Sequence, residues 1–397
     1  MSQPIKLFKK KGKHAPHDEW GRSATIDREL VVVGLSGGVD SALAARLARR
    51  EGKEVVGVFL HQWDVPDAVA RRCCSQADCF DARAVADELD IPFVVLDAKE
   101  IFRSEVVSPF VEGYLKGTTP NPCVTCNERV KLLVLASKAL ELGAKALVTG
   151  HYARVLFDPD AQAYRLFRGV DPRKDQSYFL YRVPQQTLRM LNLPLGVMTK
   201  DAVRRLAGQH GLSIASKPDS QQLCFLGAMN AGEFVERFTG VSSEACGDIV
   251  DPFGNLLGRH CGVFRFTVGQ RRGIGVCYQE PLYVSRIEPH SQRVFVAPKD
   301  GLFSRALRFG RASWVWRLPH EGKPYEVQVR AHHSSIRAVL REVHADGGWL
   351  ELLEPVFAVA PGQSAVLYDG EEVLGGGVIE ETVPAFGQAN RPLAMRS

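Results

Sequence analysis

The sequence predicts an α/β protein: a parallel sheet in its first half, followed by a small central domain and a C-terminal β-barrel. Three observations carry that prediction. Apolar runs alternate with helical segments up to about residue 150. After about residue 228 the character changes to short strand-like segments separated by turns. The chain of 397 residues also exceeds one ordinary domain, and at ~150 residues per domain it holds two or three.

The elements follow in order. Residues 30–34 form a continuous apolar run ending in glycine, and 40–50 have helical composition. A second apolar run covers 55–60, a helix 81–89 and a third strand 93–97. Residues 128–142 place apolar side chains at helical spacing, and 146–149 make a fourth strand. Runs apolar on both faces, alternating with helices, belong to parallel sheets covered on both sides. Ligands of such sheets sit at the carboxyl ends of the strands, here 34–41, 60–63 and 150–151. The later strands are expected at 264–268, 281–287, 293–296, 325–331, 338–344, 349–353, 364–368 and 372–379, with the spacing of a β-rich module.

Composition excludes several classes. A hydrophobic fraction of 45% and a charged fraction of 24% are those of a globular protein. No stretch approaches the ~20 apolar residues of a membrane span. Lys6, Lys9, Lys10, Lys11 and Lys13 precede no apolar core, so residues 1–27 read as a disordered basic tail instead of a signal peptide. The net charge of +5 fits an RNA partner and a plain housekeeping enzyme equally. Nine unevenly spread cysteines do not make a secreted disulfide framework, which points to a reducing, cytoplasmic setting.

The sharpest local signal is Gly34, Leu35, Ser36, Gly37, Gly38, Val39, Asp40 and Ser41, between the first strand and its helix. Adjacent glycines let backbone N–H groups turn inward, and two serine hydroxyls and a helix N-terminus complete an anion cradle. Asp40 would repel phosphate and is expected to help hold a magnesium ion on it. No Walker loop occurs in the chain. The pattern S-G-G-x-D-S resembles the PP-loop of the ATP pyrophosphatases (adenine nucleotide alpha hydrolase-like), which implies ATP cleaved between its α and β phosphates and AMP transferred to an oxygen.

Thr119-Pro120-Asn121-Pro122-Cys123-Val124-Thr125-Cys126-Asn127-Glu128 places two cysteines at the start of a helix, where the N-terminus is expected to lower a thiol pKa. Lys217-Pro218-Asp219-Ser220-Gln221-Gln222-Leu223-Cys224-Phe225 holds a third. With Gly150-His151-Tyr152, Lys174-Asp175-Gln176-Ser177-Tyr178, residues 266–273 and Pro361-Gly362-Gln363, these motifs run in order over nearly the whole chain. The chain resembles the bacterial-type tRNA-specific 2-thiouridylases.

That resemblance implies a transferase for tRNA modification, with a PP-loop domain over 28–228, a central domain over 229–298 and a tRNA-binding barrel over 299–385. ATP would bind on residues 34–41 with Leu60 and Gly150 beside the adenosine. Cys126 and Cys224 would be catalytic, Cys224 receiving sulfane sulfur as a persulfide from a relay protein. ATP would adenylate O2 of the wobble uridine in the anticodon loop; sulfur would then attack C2, and Cys126 would release it through a transient disulfide with Cys224. Asn121, Pro122, Cys123, His151, Lys174, Asp175, Gln176, Arg330 and Gln363 would contact tRNA. The chemistry is reasonable, since a carbonyl oxygen leaves poorly until AMP is attached and persulfides are strong nucleophiles.

One departure stands out: some members of that family carry an aspartate where this chain has Cys123. Either a thiolate there moves the proton, or the role lies elsewhere. A third alternative makes Cys123, Cys126 and Cys224 ligands of a [4Fe–4S] cluster. Two other classes compete. An amide or argininosuccinate synthetase would share the phosphate loop without needing the cysteines. A non-catalytic RNA-binding or iron–sulfur protein would need the cysteines without the loop.

Other features persuade less. Cys73, Cys74 and Cys79 lack the partners of a four-ligand zinc site and read as structural. Cys246, Cys261 and Cys277 read as small buried side chains. Lys174, Lys200, Arg204, Arg205, Arg271, Arg272 and Arg330 are candidates to face phosphates.

Overall fold

A computed structural model describes residues 29–64, 76–219, 223–241, 246–331 and 333–385. The expected basic tail lies outside the described residues, as do Cys73, Cys74, Ser220, Gln221 and Gln222. The first unit is built on β1 (Leu30–Gly34), α1 (Val39–Arg50), β2 (Glu54–His61), α2 (Gln76–Glu88) and β3 (Phe93–Asp97). Then come α3 (Lys99–Phe102), α4 (Ser108–Leu115), α5 (Pro122–Thr125), α6 (Leu132–Glu141) and β4 (Ala146–Val148). A hairpin of β5 (Ala153–Asp158) and β6 (Ala163–Arg168) precedes α7 (Gln185–Leu188), β7 (Leu191–Asn192), α8 (Lys200–Gln209) and α9 (Ala231–Thr239). The five-stranded sheet has the order β3-β2-β1-β4-β7 and is parallel throughout.

The central strand shows why it is apolar on both faces. Val31 and Val33 pack into the cluster that contains α1, while Val32 faces the cluster that contains Leu132 and Leu135 of α6. On the sheet-facing side α1 is nearly all small, with Ala42, Ala44, Ala45 and Ala48 buried. Two short π-helical turns interrupt the helices, Arg103–Val107 before α4 and Cys126–Lys131 before α6. Where periodicity suggested one helix over 128–142, the first turns are therefore wide, which is common at functional sites.

The central unit is a four-stranded sheet of β8 (Cys246–Val250), β9 (Leu256–Cys261), β10 (Leu282–Glu288) and β11 (Arg293–Pro298), ordered β10-β11-β8-β9. A strand expected at 264–268 is instead a 3-10 turn, Val263–Arg265, running into a loop. The last unit contains β12 (Phe303–Trp314), β13 (Pro324–Gln328), β14 (Ile336–His344), β15 (Gly347–Phe357), β16 (Ser364–Asp369) and β17 (Glu372–Pro384). Its strands follow the order β12-β15-β14-β13-β16-β17, and β12 also pairs with β17, so the sheet closes into a barrel. Closure removes the exposed edges of the barrel.

The expected strands 281–287, 293–296, 325–331, 338–344, 349–353, 364–368 and 372–379 each have a counterpart, whereas β8, β9 and β12 were not anticipated. Nor was the hairpin of the first unit, whose β6 pairs with β17 and extends the barrel sheet. Arg165 of β6 clamps this junction: its Nε donates to Glu372 Oε1 at 2.7 Å, a second guanidinium nitrogen donates to Glu372 Oε2, and Nη1 donates to Asp158 at 2.9 Å. Trp316 Nε1 donates to the same Glu372 oxygen at 2.8 Å.

The three cysteines read as buried, Cys246, Cys261 and Cys277, are exposed. They lie on short strands and a loop of a thin sheet whose outer face solvent reaches. No helix among the described residues is long and apolar enough to cross a membrane.

Arg165→Met should leave the Glu372 carboxylate buried without its cation. Loss of one partner of such a pair costs on the order of 3 kcal/mol. Chemical denaturation should show that loss, and an unchanged midpoint would mean the clamp carries no weight.

Candidate active site

The loop after β1 folds on itself before α1 begins. Ser41 Oγ donates to Gly38 O at 3.0 Å and accepts from Ser36 N at 3.1 Å, and the two serine hydroxyls lie 3.2 Å apart. Gly37 has φ +72°, and a Cβ there would stand 2.4 Å from the Asp78 carbonyl oxygen. Gly150, after β4, meets the loop from the other side, since a Cβ on it would lie 2.8 Å from Ser41 N. The loop is thus held between α2 and the end of β4 at a distance only glycine permits.

A cavity of about 590 Å³ opens over this loop, a volume suited to a nucleotide. All of Gly34, Leu35, Ser36, Gly37, Gly38, Val39, Asp40 and Ser41 line it, with Leu60, Gly150, His151, Lys174 and Gln176. So do Gln62, Lys131, Tyr152, Arg173, Lys217 and Asp219.

Charge around the cavity is organised by Lys200, the first residue of α8. Its Nζ, on a side chain only 6% exposed, lies 2.7 and 2.8 Å from the two oxygens of Asp40 and 2.8 Å from Asp219. Tyr152 Oη donates to Asp40 Oδ1 at 2.7 Å. Asp219 also takes Lys174 Nζ at 2.6 Å and Arg204 Nη2 at 2.9 Å. Burial pushes the Asp219 carboxyl up, but hydrogen bonds from Lys174 and Lys200 hold it below the ordinary value. Lys217 Nζ donates to Gly37 O at 2.9 Å and pairs with Asp78 and Asp81. Lys200, read as a candidate to face phosphate, is therefore bound to carboxylates. Asp40, expected to hold magnesium, already has both oxygens engaged.

The cysteines sit beside the cavity wall. Cys126 opens the wide turn and Cys123 lies one helical turn earlier, within α5. Cys224 reaches them because Phe225 is anchored in an aromatic cluster, with ring centroids 5.9 Å from Phe102, 5.1 Å from Phe110 and 5.1 Å from Phe234. Burial pushes the Cys123 thiol up to about 12, and a charge on Cys224 or Cys126 would push the same way. Burial likewise pushes Cys126 up to about 11; the Lys131 ammonium and a hydrogen bond from Gln62 oppose it. The expectation of thiols depressed by a helix N-terminus is overturned, because loss of water outweighs it at this depth. The same burial favours the neutral thiol of Cys123.

Among the described residues, no group of three or more His, Cys, Asp or Glu side chains is arranged to hold a metal ion. Nothing among the described residues supports the cluster alternative for Cys123, Cys126 and Cys224.

The remaining expected contacts fall in two places. Asp175 accepts from Gly169 N, Ser177 N, Ser177 Oγ and Arg168 Nη1, and Gln176 Oε1 accepts from Tyr152 N. Both side chains hold the chain's own turns. Gln363 Nε2 donates to Thr119 O at 2.8 Å, which docks the barrel on the strand of chain leading through Asn121 and Pro122 to Cys123. Arg330 Nη2 donates to Ala358 O at 3.2 Å, away from the cavity lining. His151 Nδ1 lies 2.9 Å from Thr149 Oγ1. Burial lowers its pKa to about 3, helped by the Lys131 charge, so the imidazole is neutral.

Sequence reasoning had pointed to the strand end at 60–63 without naming Gln62, and it had not singled out Lys131. Gln62 follows an apolar strand at its carboxyl end, which is a usable signal. Lys131 has none, because on a regular helix a residue five positions after Cys126 points elsewhere.

The chain is similar to known proteins over most of its length. Residues 29–228 match the family described as tRNA methyl transferase HUP domain, 232–298 the tRNA methyl transferase PRC-barrel domain, and 304–379 the aminomethyltransferase beta-barrel domain. The tRNA-specific 2-thiouridylase MnmA of Geotalea uraniireducens is 42% identical over 362 residues, 90% of this chain and 96% of that protein. The MnmA of Rhodospirillum centenum is 43% identical over 375 residues, 91% and 95% of the two chains. A solved 4-thiouridine synthetase–RNA complex with bound ATP is 18% identical, covers 51% of this chain and 46% of that one, and has a TM-score of 0.33. The chain belongs to the tRNA-specific 2-thiouridylase family.

Two predictions follow from the charges. Lys200→Met should weaken ATP binding at least ten-fold in a direct titration, because it leaves Asp40 without its cation beside the phosphate site, while Asp219 keeps Lys174 and Arg204; wild-type affinity would contradict this. His151 binds no proton in the folded state until pH nears 3, whereas an unfolded histidine binds one below about 6.5. Stability is therefore lost as pH falls below about 6.5, at up to about 1.4 kcal/mol per pH unit from this group. His151→Gln should flatten the fall of melting temperature between pH 6.5 and 5, and an identical slope would assign the acid sensitivity elsewhere.

Proposed function

We propose that this member of the 2-thiouridylase family uses ATP to exchange the C2 oxygen of a tRNA uridine for sulfur, with adenylation on residues 34–41 and sulfur handled by Cys224 and Cys126. One observation carries the reading: the phosphate-loop cavity and the buried Cys126 share a wall, through Gln62. A plain amide-forming or argininosuccinate-type synthetase has no use for that adjacency, and a non-catalytic RNA-binding protein has no use for the loop.

ATP enters as a substrate with its magnesium ion. Backbone N–H groups of the loop and the Ser36 and Ser41 hydroxyls cradle its phosphates, while Leu60 and Gly150 flank the adenosine. Asp40, neutralised by Lys200 and Tyr152, orders the start of α1. Lys174 and Arg173 face the departing pyrophosphate, and Lys217 keeps the loop closed from behind.

The wobble uridine, extruded from its stack, attacks the α phosphorus through O2 and releases pyrophosphate and its N3 proton. Cys224 carries sulfane sulfur delivered by a relay protein. The terminal persulfide sulfur, ionised, attacks C2; the C2–O bond breaks and AMP leaves. Cys126, having lost its proton to solvent, attacks the Cys224 sulfur. The S–S bond breaks with its electron pair on the sulfur attached to C2, a Cys126–Cys224 disulfide forms, and N3 regains a proton. A dithiol reductant then resets the pair. Cys123, held as a neutral thiol, serves as a hydrogen donor where relatives with aspartate would have a carboxyl group. Arg330 and Gln363 place the barrel against the tRNA, Arg330 toward a phosphate.

Thiolation should be assayed on unmodified tRNA with ATP and a sulfane-sulfur donor. Cys224→Ser should release pyrophosphate without forming 2-thiouridine; thiolated tRNA from that variant would end the persulfide assignment.

A further inference from the structure

Gln62 has no assigned role, yet it is among the most deeply placed polar groups of the first unit. It lies just past the carboxyl end of β2, 1% exposed, and lines the phosphate-loop cavity. Its Nε2 donates to Cys126 Sγ at 3.3 Å. A buried amide aimed at a thiol contributes little while the sulfur is protonated, because a neutral sulfur is a weak acceptor. It matters once the sulfur is charged, since hydrogen bonds to ionised groups are the strong ones.

Building on the mechanism above, we propose that Gln62 is a positioning residue for Cys126: it aims the sulfur along the cavity wall and stabilises the thiolate that releases sulfur from Cys224. The need is specific to this site. Cys126 is buried and its pKa stands near 11, so few molecules are ionised at neutral pH. The groups that act on it come from four places. Cys123 on α5 and Cys224 before α9 oppose its charge, while Lys131 at the end of the wide turn and Gln62 after β2 favour it. Lys131 supplies its charge and a backbone hydrogen bond from the same turn as the sulfur, whereas Gln62 supplies a side-chain donor at 3.3 Å from a separate element, the end of β2. Because the same side chain lines the ATP cavity, a bound nucleotide and the reactive sulfur share one neighbour.

The experiment reads the thiol itself, on the full-length protein without tRNA or ATP. Iodoacetamide labelling of Cys126 is followed by peptide mass spectrometry from pH 7 to 10 in the wild type, Gln62→Met and Gln62→Glu. Methionine keeps the length without the donor, and glutamate replaces the donor with an anion. Loss of a hydrogen bond to a thiolate should raise its pKa by about one unit, slowing labelling about ten-fold at any pH below it. Gln62→Glu should be slower still, and 2-thiouridine formation by Gln62→Met should recover as pH is raised. A residue that merely packed there would give the opposite sign: cavities opened by substitution expose the sulfur and speed labelling. Unchanged or faster labelling in Gln62→Met overturns the proposal, including the case in which only ATP affinity falls. The thiouridylase reading fails separately, if the wild type itself makes no 2-thiouridine while its Cys126 titrates as expected.

Discussion

The buried ammonium of Lys200 is the constraint on which the site depends. It bridges Asp40 at the start of α1 and Asp219 in the segment leading to Cys224, two parts of the chain that Lys217 also joins through Gly37 O. Its own position is over-determined. The backbone N–H of Lys200 donates to Asp171 at 3.0 Å, and Thr199 caps the helix that Lys200 begins. Removing one charge from such a set leaves the others buried and unpaired, so the set persists as a unit or fails as one. The phosphate loop and the approach to Cys224 consequently hold a common register.

That coupling explains a division of labour between charge and burial. Cations gather at the loop, where an anion must be held: Lys200, Lys174, Arg204 and Lys217 all pair with carboxylates that keep them in place. Around the cysteines the environment is apolar, with Val130, Phe102, Phe110 and Phe225 in one cluster with Cys126 and Cys224. Low polarity there favours the protonated thiols of Cys123 and Cys126. Reactivity then requires local help, which Lys131 and Gln62 are placed to give.

The barrel is tied to this site at two levels. Sheet pairing between β6 and β17, with Arg165 on Glu372, fixes the barrel to the first unit. Thr119 N donates to Pro361 O, and Gln363 donates to Thr119 O, fixing the barrel to the segment that enters α5. Tyr178 and Tyr181 add hydroxyl bonds to Ser364. The barrel is thereby held in a set relation to the cysteines.

By itself the sequence determined what is local. The strand, glycine turn and helix of residues 30–50 announce themselves, because an apolar strand and a glycine-serine turn are written in adjacent residues. The cysteines and the family resemblance were legible for the same reason, as short motifs. Most barrel strands were also legible, but β12 was not. Its Arg305, Arg308 and Arg311 break the apolar pattern, and it is a strand because β15 and β17 pair with it on both sides. The tertiary structure alone decided that Asp40 belongs to Lys200, that Cys126 is raised instead of lowered in pKa, and that Gln62 and Lys131 attend it. Desolvation and pairing depend on which distant residues arrive at a point in space, and a sequence window carries no measure of that.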